Sequence, residues 1–245
     1  MTKADERAAQ DPERRPVVAI TARAPSAEGK TRLIRDLGTR DGAGLRLALL
    51  RDTLESVAAL ETEKAVLYTP PDCEAEIRAL TPFRAVFLPQ RGSTLGERMR
   101  DGAGDLIASG FDAVVLIGSD LPTLPPGYVG AALDILTRRP ASLVLGPAED
   151  GGYYLIGLTQ SRPELFEHIP WGTSLVFQRT RDAARALGIA VETLPRWYDV
   201  DSLSDLRRAC HGSGLPDGAA RHTRAWLAAA PPAVRARVHL RSRQF

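Results

Sequence analysis

Short apolar runs alternate with longer amphipathic stretches along most of this 245-residue chain. The apolar runs are typical of buried strands, and they predict strands at Val17–Ala22, Lys64–Thr69, Arg84–Pro89, Asp112–Gly118, Ser142–Pro147, Tyr153–Leu158 and Ile189–Leu194. The amphipathic stretches predict helices at Asp41–Glu61, Leu95–Ser109, Pro126–Arg139, Thr173–Leu187 and Ser202–Cys210, with a short helix between the second and third strands. This alternation indicates a three-layer α/β fold with a mostly parallel, doubly wound sheet. The two strands around Asp150 predict a small antiparallel element.

Composition and charge divide the chain into three predicted parts. Hydrophobic residues make up 44% of the chain and charged residues 25%, which is ordinary for a soluble globular domain. Residues 1–15 are polar and charged, and we expect a disordered extension there. Residues 16–210 form the predicted α/β domain. Residues 211–245 carry six arginines against one acid, Asp217, and predict a basic, solvated C-terminal extension.

Several partners and locations are disfavoured by the same composition. No basic stripe is interleaved with aromatic residues, so we expect no nucleic-acid partner. No apolar stretch reaches the length of a membrane span, and the first residues lack the apolar core of a signal peptide. Cys73 and Cys210 fit no metal or redox spacing, so we expect free thiols and a cytoplasmic protein. The oligomeric state is left open.

The first predicted strand leads into a loop that is suited to phosphate binding. Gly29-Lys30-Thr31 matches the end of a Walker A loop, but the first glycine of that loop is missing and Pro25 removes a backbone donor. A P-loop nucleoside triphosphatase is therefore disfavoured. A loop that feeds a helix and carries Arg23, Lys30 and Arg32 still suits phosphate oxygens, with an ordinary surface turn as the alternative.

Carboxylates occur where two predicted elements end. Asp120 follows the fourth predicted strand, at the edge where open α/β sheets bind ligands, although capping the next helix is an alternative role. Ser202 and Asp205 form a capping box, which leaves Asp199 and Asp201 as either a solvated acidic turn or a ligand site. Their i, i+2 spacing places both on one face of an extended segment. With Asp120 they are suited to hold Mg²⁺ or Mn²⁺.

A turn between the fifth and sixth predicted strands gathers further polar groups. Asp150-Gly151-Gly152 is a favoured hairpin turn, and a purely structural role is possible for it. Glu149, Asp150 and the paired Tyr153-Tyr154 nevertheless make this turn rich in groups that hold a polar substrate. Trp171, which follows a proline, either lines a pocket or is an ordinary core residue.

Taken together, these segments resemble the DUF2064 family. The resemblance rests on Gly29–Leu33, Leu95–Met99, Gly118–Pro122, Leu145–Gly157, Ile169–Trp171 and Asp199–Asp201. It covers the chain from about Val17 to Arg208, and its G-P-x-x-D-G-G-Y-Y segment is specific. That family is described as a GT-A-fold group, often labelled arsenosugar biosynthesis glycosyltransferase or selenodomain-associated transferase. A more distant similarity is to the nucleotidyltransferases that make the guanylylated molybdenum cofactor and the precursor of the deazaflavin cofactor, which share the fold.

The resemblance implies a GT-A-like, Rossmann-like nucleotide-binding domain with a divalent metal. It implies that Asp120 is one metal ligand and that Asp199 or Asp201 is the second. The implied nucleotide and phosphate contacts are Arg23, Gly29, Lys30, Arg32, Gly96 and Ser119. The implied acceptor contacts are Glu149, Gly151, Gly152, Tyr153 and Trp171.

Two features of this chain depart from the family's pattern. Family members usually carry lysine where Arg23 stands, and arginine contacts phosphate through a planar fork where lysine acts as a point charge. The usual Pro-x-Pro-Gly loop is replaced here by Pro25-Ser26-Ala27-Glu28-Gly29. The detail of phosphate contact is therefore specific to this chain.

These residues are compatible with two reactions and with one non-catalytic role. In glycosyl transfer, the acids and their cation neutralise a nucleoside diphosphate leaving group, Lys30 and Arg32 hold its phosphates, and Asp150 is the base for a small-molecule acceptor. In nucleotidyl transfer, a substrate phosphate attacks the α-phosphorus of an NTP and releases pyrophosphate, and no strong base is needed. A protein that binds nucleotide without turnover is the third possibility. We predict the glycosyltransferase, with nucleotidyl transfer as the alternative.

Overall fold

Seven strands form a mixed sheet in the computed structural model, which describes residues 14–27, 31–38 and 42–239. The strands are β1 (Pro16–Arg23), β2 (Glu63–Thr69), β3 (Val86–Pro89), β4 (Ala113–Gly118), β5 (Ser142–Pro147), β6 (Tyr153–Leu158) and β7 (Ala190–Thr193). Their order across the sheet is β3-β2-β1-β4-β6-β5-β7. Only β6 runs antiparallel to its neighbours, β4 and β5. The predicted mostly parallel α/β sheet with a small antiparallel element is confirmed.

Helices cover both faces of this sheet. They are α1 (Thr31–Leu37), α2 (Ala43–Ala58), α3 (Glu74–Leu80), α4 (Leu95–Ala108), α5 (Pro126–Arg138), α6 (Val176–Ala186), α7 (Leu203–His211), α8 (Arg221–Ala229) and α9 (Pro232–His239). One core cluster joins α2, α3 and α5 to the sheet, and a second joins α4 and α6 to the opposite face. The predicted three layers are confirmed. Among the described residues, no helix combines the length and apolar character that crossing a bilayer requires.

The two strands at the centre of the sheet create the crevice of the fold. Side chains of β4 alternate between the two core clusters, with Val115 in one and Leu116 in the other, so this strand is buried on both faces. After β1 the chain moves to β2 on one side, and β4 lies on the other side, with Thr21 opposite Gly118. The loops after β1 and β4 therefore diverge, and such a switch point is where open α/β sheets bind ligands.

The start of α6 differs from the predicted helix. The amphipathic pattern predicts a helix from Thr173, but the helix begins at Val176. The Thr173 hydroxyl donates a hydrogen bond to the Pro170 carbonyl oxygen at 2.8 Å, and Gly172 has φ +80°. A side chain that bonds its local backbone competes with helix formation, so the segment before Val176 forms turns instead.

A third core cluster lies at the C-terminal end of the chain. The sequence predicts a solvated extension after residue 210, but the described part of that segment forms α8 and α9, with Leu227, Val234 and Val238 buried. These residues share a cluster with Leu33 of α1 and with Val200, which lies between Asp199 and Asp201. The division of the chain at residues 15 and 210 stays a prediction, and residues 1–13 and 240–245 lie outside the described part.

A buried carboxylate attaches α8 to α2. Asp52 of α2 is 5% exposed and accepts hydrogen bonds from the backbone N–H groups of His222 and Thr223, each at 2.8 Å. It also accepts one from the Thr223 hydroxyl at 2.6 Å. Because the first N–H groups of a helix have no partner within the helix, an acid from another helix serves here as the N-terminal cap of α8.

Replacing this carboxylate is expected to destabilise the protein. We expect Asp52→Ala to lower the free energy of unfolding by about 2–4 kcal/mol, because two backbone N–H groups and the Thr223 hydroxyl lose their acceptor. In a chain of this size that is a fall of roughly 5–12 °C in the thermal midpoint, measurable by differential scanning calorimetry. Glu55→Ala removes a nearby exposed acid that pairs with Arg221 at 2.7 Å, and it should cost under about 1 kcal/mol. Equal losses for the two variants would contradict the capping role of Asp52.

Candidate active site

Three carboxylates meet at the carboxyl edge of the sheet. Asp120, Asp199 and Asp201 each offer one oxygen atom, and these three atoms lie within 4.8 Å of one another. Asp120 and Asp199 are half-buried and Asp201 is exposed. We call these three residues the acid cluster. The structure thus brings together side chains that are about eighty residues apart in the sequence, as the sequence analysis predicted for a shared ion.

Backbone contacts hold the two parts of the acid cluster together. The Val200 N–H donates to the Asp120 carbonyl oxygen at 3.0 Å, and the Val200 side chain is fully buried. Gly118 lies directly below the Asp120 carboxylate, and a Cβ added there would be 2.8 Å from its Oδ1 atom. Asp199 and Asp201 flank the buried Val200, so their side chains leave the segment on the side of the crevice.

A separate acid caps the helix that follows the cluster. The Ser202 hydroxyl accepts from the Asp205 N–H at 3.2 Å, and the Asp205 carboxylate accepts from the Ser202 N–H at 2.8 Å. This is the predicted capping box. Asp199 and Asp201 therefore line the cleft while Asp205 serves the helix.

The chemistry of the acid cluster fits a hard divalent cation. All three side chains offer carboxylate oxygens, which are the ligands that Mg²⁺ and Mn²⁺ prefer. Three negative charges at this spacing repel one another, and a cation among them would remove that repulsion. The oxygens come from two loops and are partly open to the cleft, which leaves room for oxygen ligands from a substrate.

A cleft of about 380 Å³ opens beside the acid cluster. This volume is at the lower end of the range for small-molecule sites. Predicted site residues that line it are Ser119, Asp120, Asp150, Gly152, Tyr153, Trp171, Asp199 and Asp201. The structure therefore places the predicted metal ligands, the predicted base and several predicted acceptor contacts around one space.

Asp150 sits on a tight turn at the edge of the cleft. One of its carboxylate oxygens, Oδ1, accepts from the Gly152 N–H at 2.8 Å, which fixes the side chain on its own turn. Its other oxygen makes no hydrogen bond to any described residue. The residue is exposed, so a proton that it accepted would have a path to water.

The two residues next to Asp150 in the predicted site, Glu149 and Gly151, do not line the cleft. Glu149 does not line it and instead pairs with Arg208, whose Nη1 atom is 2.7 Å from the carboxylate. Gly151 has φ +92°, and its carbonyl oxygen accepts from the Phe177 N–H at 2.9 Å. For both residues the observed contacts are structural, and their predicted acceptor contacts stay predictions.

Gly151 fits so tightly that a side chain there should disturb the cleft. A Cβ at this position would overlap the Ser174 backbone, which carries the segment between Trp171 and α6. Because φ is also positive, we expect Gly151→Ala to lower the free energy of unfolding by about 1–3 kcal/mol. Urea unfolding followed by circular dichroism measures this loss. The matched change Gly127→Ala, on α5 with open space around it, should cost nothing or stabilise slightly.

The two tyrosines after the turn remain neutral. Burial raises the pKa of Tyr153 and of Tyr154 above the ordinary value. The Tyr154 hydroxyl donates to the Pro195 carbonyl oxygen at 2.9 Å, and the Tyr153 hydroxyl is buried. Neither phenol is therefore suited to act as a base at neutral pH.

Gly96 has a packing role in the structure. A Cβ on Gly96, in the first turn of α4, would overlap the Trp171 indole. A capping box begins the helix: the Thr94 hydroxyl accepts from the Glu97 N–H at 3.2 Å, and the Glu97 carboxylate accepts from the Thr94 N–H at 3.1 Å. The predicted phosphate contact of Gly96 stays a prediction.

The predicted phosphate loop is described only in part. Arg23 ends β1 and is exposed at the carboxyl edge of the sheet. Gly29, Lys30 and the side chain of Arg32 lie outside the described residues. The start of the loop is held on both sides: Arg46 donates to the Pro25 carbonyl oxygen at 2.7 Å, and Glu76 accepts from the Ser26 N–H at 3.0 Å.

Sequence reasoning missed the apolar part of the cleft. The missed lining residues include Thr21, Leu95, Met99, Leu116, Ile156 and Val176. Strand alternation assigns Leu116 and Ile156 each to one face, but only the pairing of β4 with β6 puts these two residues opposite each other. The hydrophobic pattern of the sequence does not specify the order of strands across a sheet. The apolar part of the cleft was therefore not predictable from the sequence.

Comparisons with known proteins agree with this fold. Residues 53–173 match the sequence profile of the family described as "Uncharacterized protein conserved in bacteria (DUF2064)". A protein of known structure from Desulfovibrio desulfuricans, provisionally described as a nucleotide-diphospho-sugar transferase, is 32% identical to this chain. The match has a TM-score of 0.79 and covers 90% of this chain and 96% of that chain. No match was found among curated proteins.

More distant structures share the fold alone. A cytidylyltransferase from Leptospira borgpetersenii is 14% identical, with a TM-score of 0.52 over 85% of this chain and 92% of that chain. CMP:2-keto-3-deoxy-manno-octonic acid synthetase in complex with CTP is 14% identical, with a TM-score of 0.51 over 79% of this chain and 96% of that chain.

Proposed function

This chain belongs to the DUF2064 family, and from that premise we propose that it is a transferase that takes its donor group from a nucleotide. More specifically, we propose a glycosyltransferase that uses a nucleotide-sugar donor, a small-molecule acceptor and Mg²⁺ or Mn²⁺. The observation that carries this proposal is the convergence of Asp120, Asp199 and Asp201 within 4.8 Å beside a cleft at the switch point of the sheet.

The acid cluster would hold the donor through a cation. Bound there, a divalent cation supplies charge neutralisation for the diphosphate leaving group. Asp120 is fixed at the end of the central strand β4, and Asp199 and Asp201 are fixed by the buried Val200. The ligands are thus positioned before the donor binds, which lowers the cost of ordering them. Arg23, Lys30 and Arg32 are proposed to contact the phosphates from the loop after β1.

Asp150 is proposed as the general base. The acceptor hydroxyl attacks the sugar carbon that carries the diphosphate, the bond from that carbon to the diphosphate oxygen breaks, and the hydroxyl proton passes to the Asp150 carboxylate. The turn fixes one carboxylate oxygen on the Gly152 N–H, which leaves the other to receive the proton.

The cleft offers a candidate base, which favours glycosyl transfer over nucleotidyl transfer. Four of the residues that line the cleft are acids, and within the described part of the chain no lysine, arginine or histidine lines it. Nucleotidyl transfer depends on positioning and charge neutralisation and needs no strong base. Glycosyl transfer needs only a neutral hydroxyl and a base, and the cleft offers Asp150.

The two reactions are separated by their leaving groups. The protein is incubated with Mn²⁺ and a mixture of acceptor alcohols, with separate NTPs and separate nucleotide sugars, and the released phosphate species are measured. Release of a nucleoside diphosphate that depends on metal and acceptor supports the proposal, and release of pyrophosphate from an NTP supports nucleotidyl transfer. Binding of nucleotide with neither release would indicate the non-catalytic role.

A further inference from the structure

Apolar side chains form part of the lining of the cleft. Leu95 and Met99 of α4, Leu116 and Ile156 of the sheet, and Trp171 and Val176 line it. Such a wall binds apolar surface, because displacing water from carbon is favourable, and it offers a sugar hydroxyl or a phosphate no partner.

The aromatic residues of this wall face the cleft with carbon. The Trp171 Nε1–H donates to the Phe166 carbonyl oxygen at 3.3 Å, so the polar edge of the indole is used within the protein. The Trp171 ring packs edge-on against Tyr153, with the ring centres 6.2 Å apart and the planes at 82°. The absence of a side chain at Gly96 gives the indole its place. Trp171 is therefore held as a rigid apolar surface.

One exposed leucine lines the cleft, and a second precedes a lining residue in the sequence. Leu95 is 52% exposed and lines the cleft, and Leu175 is 45% exposed and directly precedes Val176, which also lines it. In the described part of the chain, the third comparably exposed large apolar residue is Leu187, at 44%. Exposed apolar side chains grouped at a cleft are typical of a ligand-binding surface, whereas a lone one is ordinary.

We infer that the acceptor carries an uncharged hydrophobic ring, which binds between Leu95 and Trp171 while its hydroxyl group faces Asp150. This inference rests on the proposed function, since it names the acceptor of the same site. It follows from the apolar side chains that Leu95, Met99 and Trp171 contribute to the lining of the cleft.

A matched pair of ligands and a matched pair of variants test this inference. Binding of phenyl glucoside and of glucose is measured by calorimetry with Mn²⁺ present, and phenyl glucoside is expected to bind at least about tenfold more tightly. Leu95→Gln should weaken phenyl glucoside binding by about tenfold and leave glucose binding unchanged. Leu187→Gln, an equally exposed leucine away from this cleft, should change neither.

Two results would overturn the inference. One is equal affinity for phenyl glucoside and glucose, and the other is an equal effect of Leu95→Gln and Leu187→Gln. Nucleotide binding in the presence of Mn²⁺ is measured on the same samples. If nucleotide fails to bind while phenyl glucoside binds in a Leu95-dependent way, the proposed transferase function fails and the ring-binding wall stands. If nucleotide binds and phenyl glucoside binds no more tightly than glucose, only the acceptor inference fails.

Discussion

Asp120→Asn is expected to lower the rate of the metal-dependent transfer by about 10³-fold or more, because several kcal/mol of charge stabilisation act through the acid cluster. Asparagine keeps the size of the side chain and removes its charge. Since Asp120 is one of three carboxylates within 4.8 Å, its loss should also weaken Mn²⁺ binding. Loss of an outer-shell partner of a metal lowers the metal affinity by up to about 100-fold. Because Asp120 is proposed as a direct ligand, we expect calorimetry to show a fall in Mn²⁺ affinity of at least about 100-fold.

An acid at the other end of β4 provides the matched control for Asp120→Asn. Asp112 is exposed and directly precedes β4, whereas Asp120 follows the other end of that strand. Asp112→Asn changes the same charge and should leave both activity and Mn²⁺ affinity at the wild-type level. Full Mn²⁺ affinity in Asp120→Asn would show that the acid cluster is not the metal site, whatever the activity of that variant.

Asp150→Asn is expected to lower glycosyl transfer by about 10²–10⁴-fold while donor and Mn²⁺ binding stay unchanged. Asparagine can still accept the Gly152 N–H through its Oδ1 atom, so the turn should persist. It cannot accept a proton from the acceptor hydroxyl. The rate is measured by release of the nucleoside diphosphate, and the affinity for the donor by calorimetry.

The same variant distinguishes the two reactions. Nucleotidyl transfer depends on positioning and charge neutralisation, so Asp150→Asn should then cause only a modest loss. Asp134→Asn, at an exposed position of α5, removes an equal charge away from the cleft and should behave as wild type. A glycosyl transfer rate close to wild type for Asp150→Asn would count against its role as base.

The strands were predictable because their signal is local. Continuous apolar runs predicted strands at Ser142–Pro147 and Tyr153–Leu158, and these are the observed bounds of β5 and β6. A strand buried on both faces must be apolar along its length, so its sequence reveals it. The start of α6 was predicted too early, because Gly172 and Thr173 form turns that the spacing of apolar residues does not reveal.

The predicted site residues differ in how far the sequence could place them. Glu149 and Asp150 are neighbours with the same side-chain chemistry, yet Asp150 lines the cleft and Glu149 pairs with Arg208. The sequence spacing could not separate them, since the direction of each side chain depends on the turn and on α7. The C-terminal helices were missed for a related reason: their buried residues are few, and Asp52, which caps α8, is distant in sequence.

The sequence by itself determined the α/β class of the fold, the strand-end position of Asp120 and the availability of Asp199 and Asp201. Each of these follows from local physical chemistry, such as apolar runs, a capping box and alternation along an extended segment. Only the tertiary structure decided that the three carboxylates meet and that apolar side chains line the same cleft. Those contacts depend on the order of strands and the packing of helices, which are set by burial across the whole chain and not by any one segment.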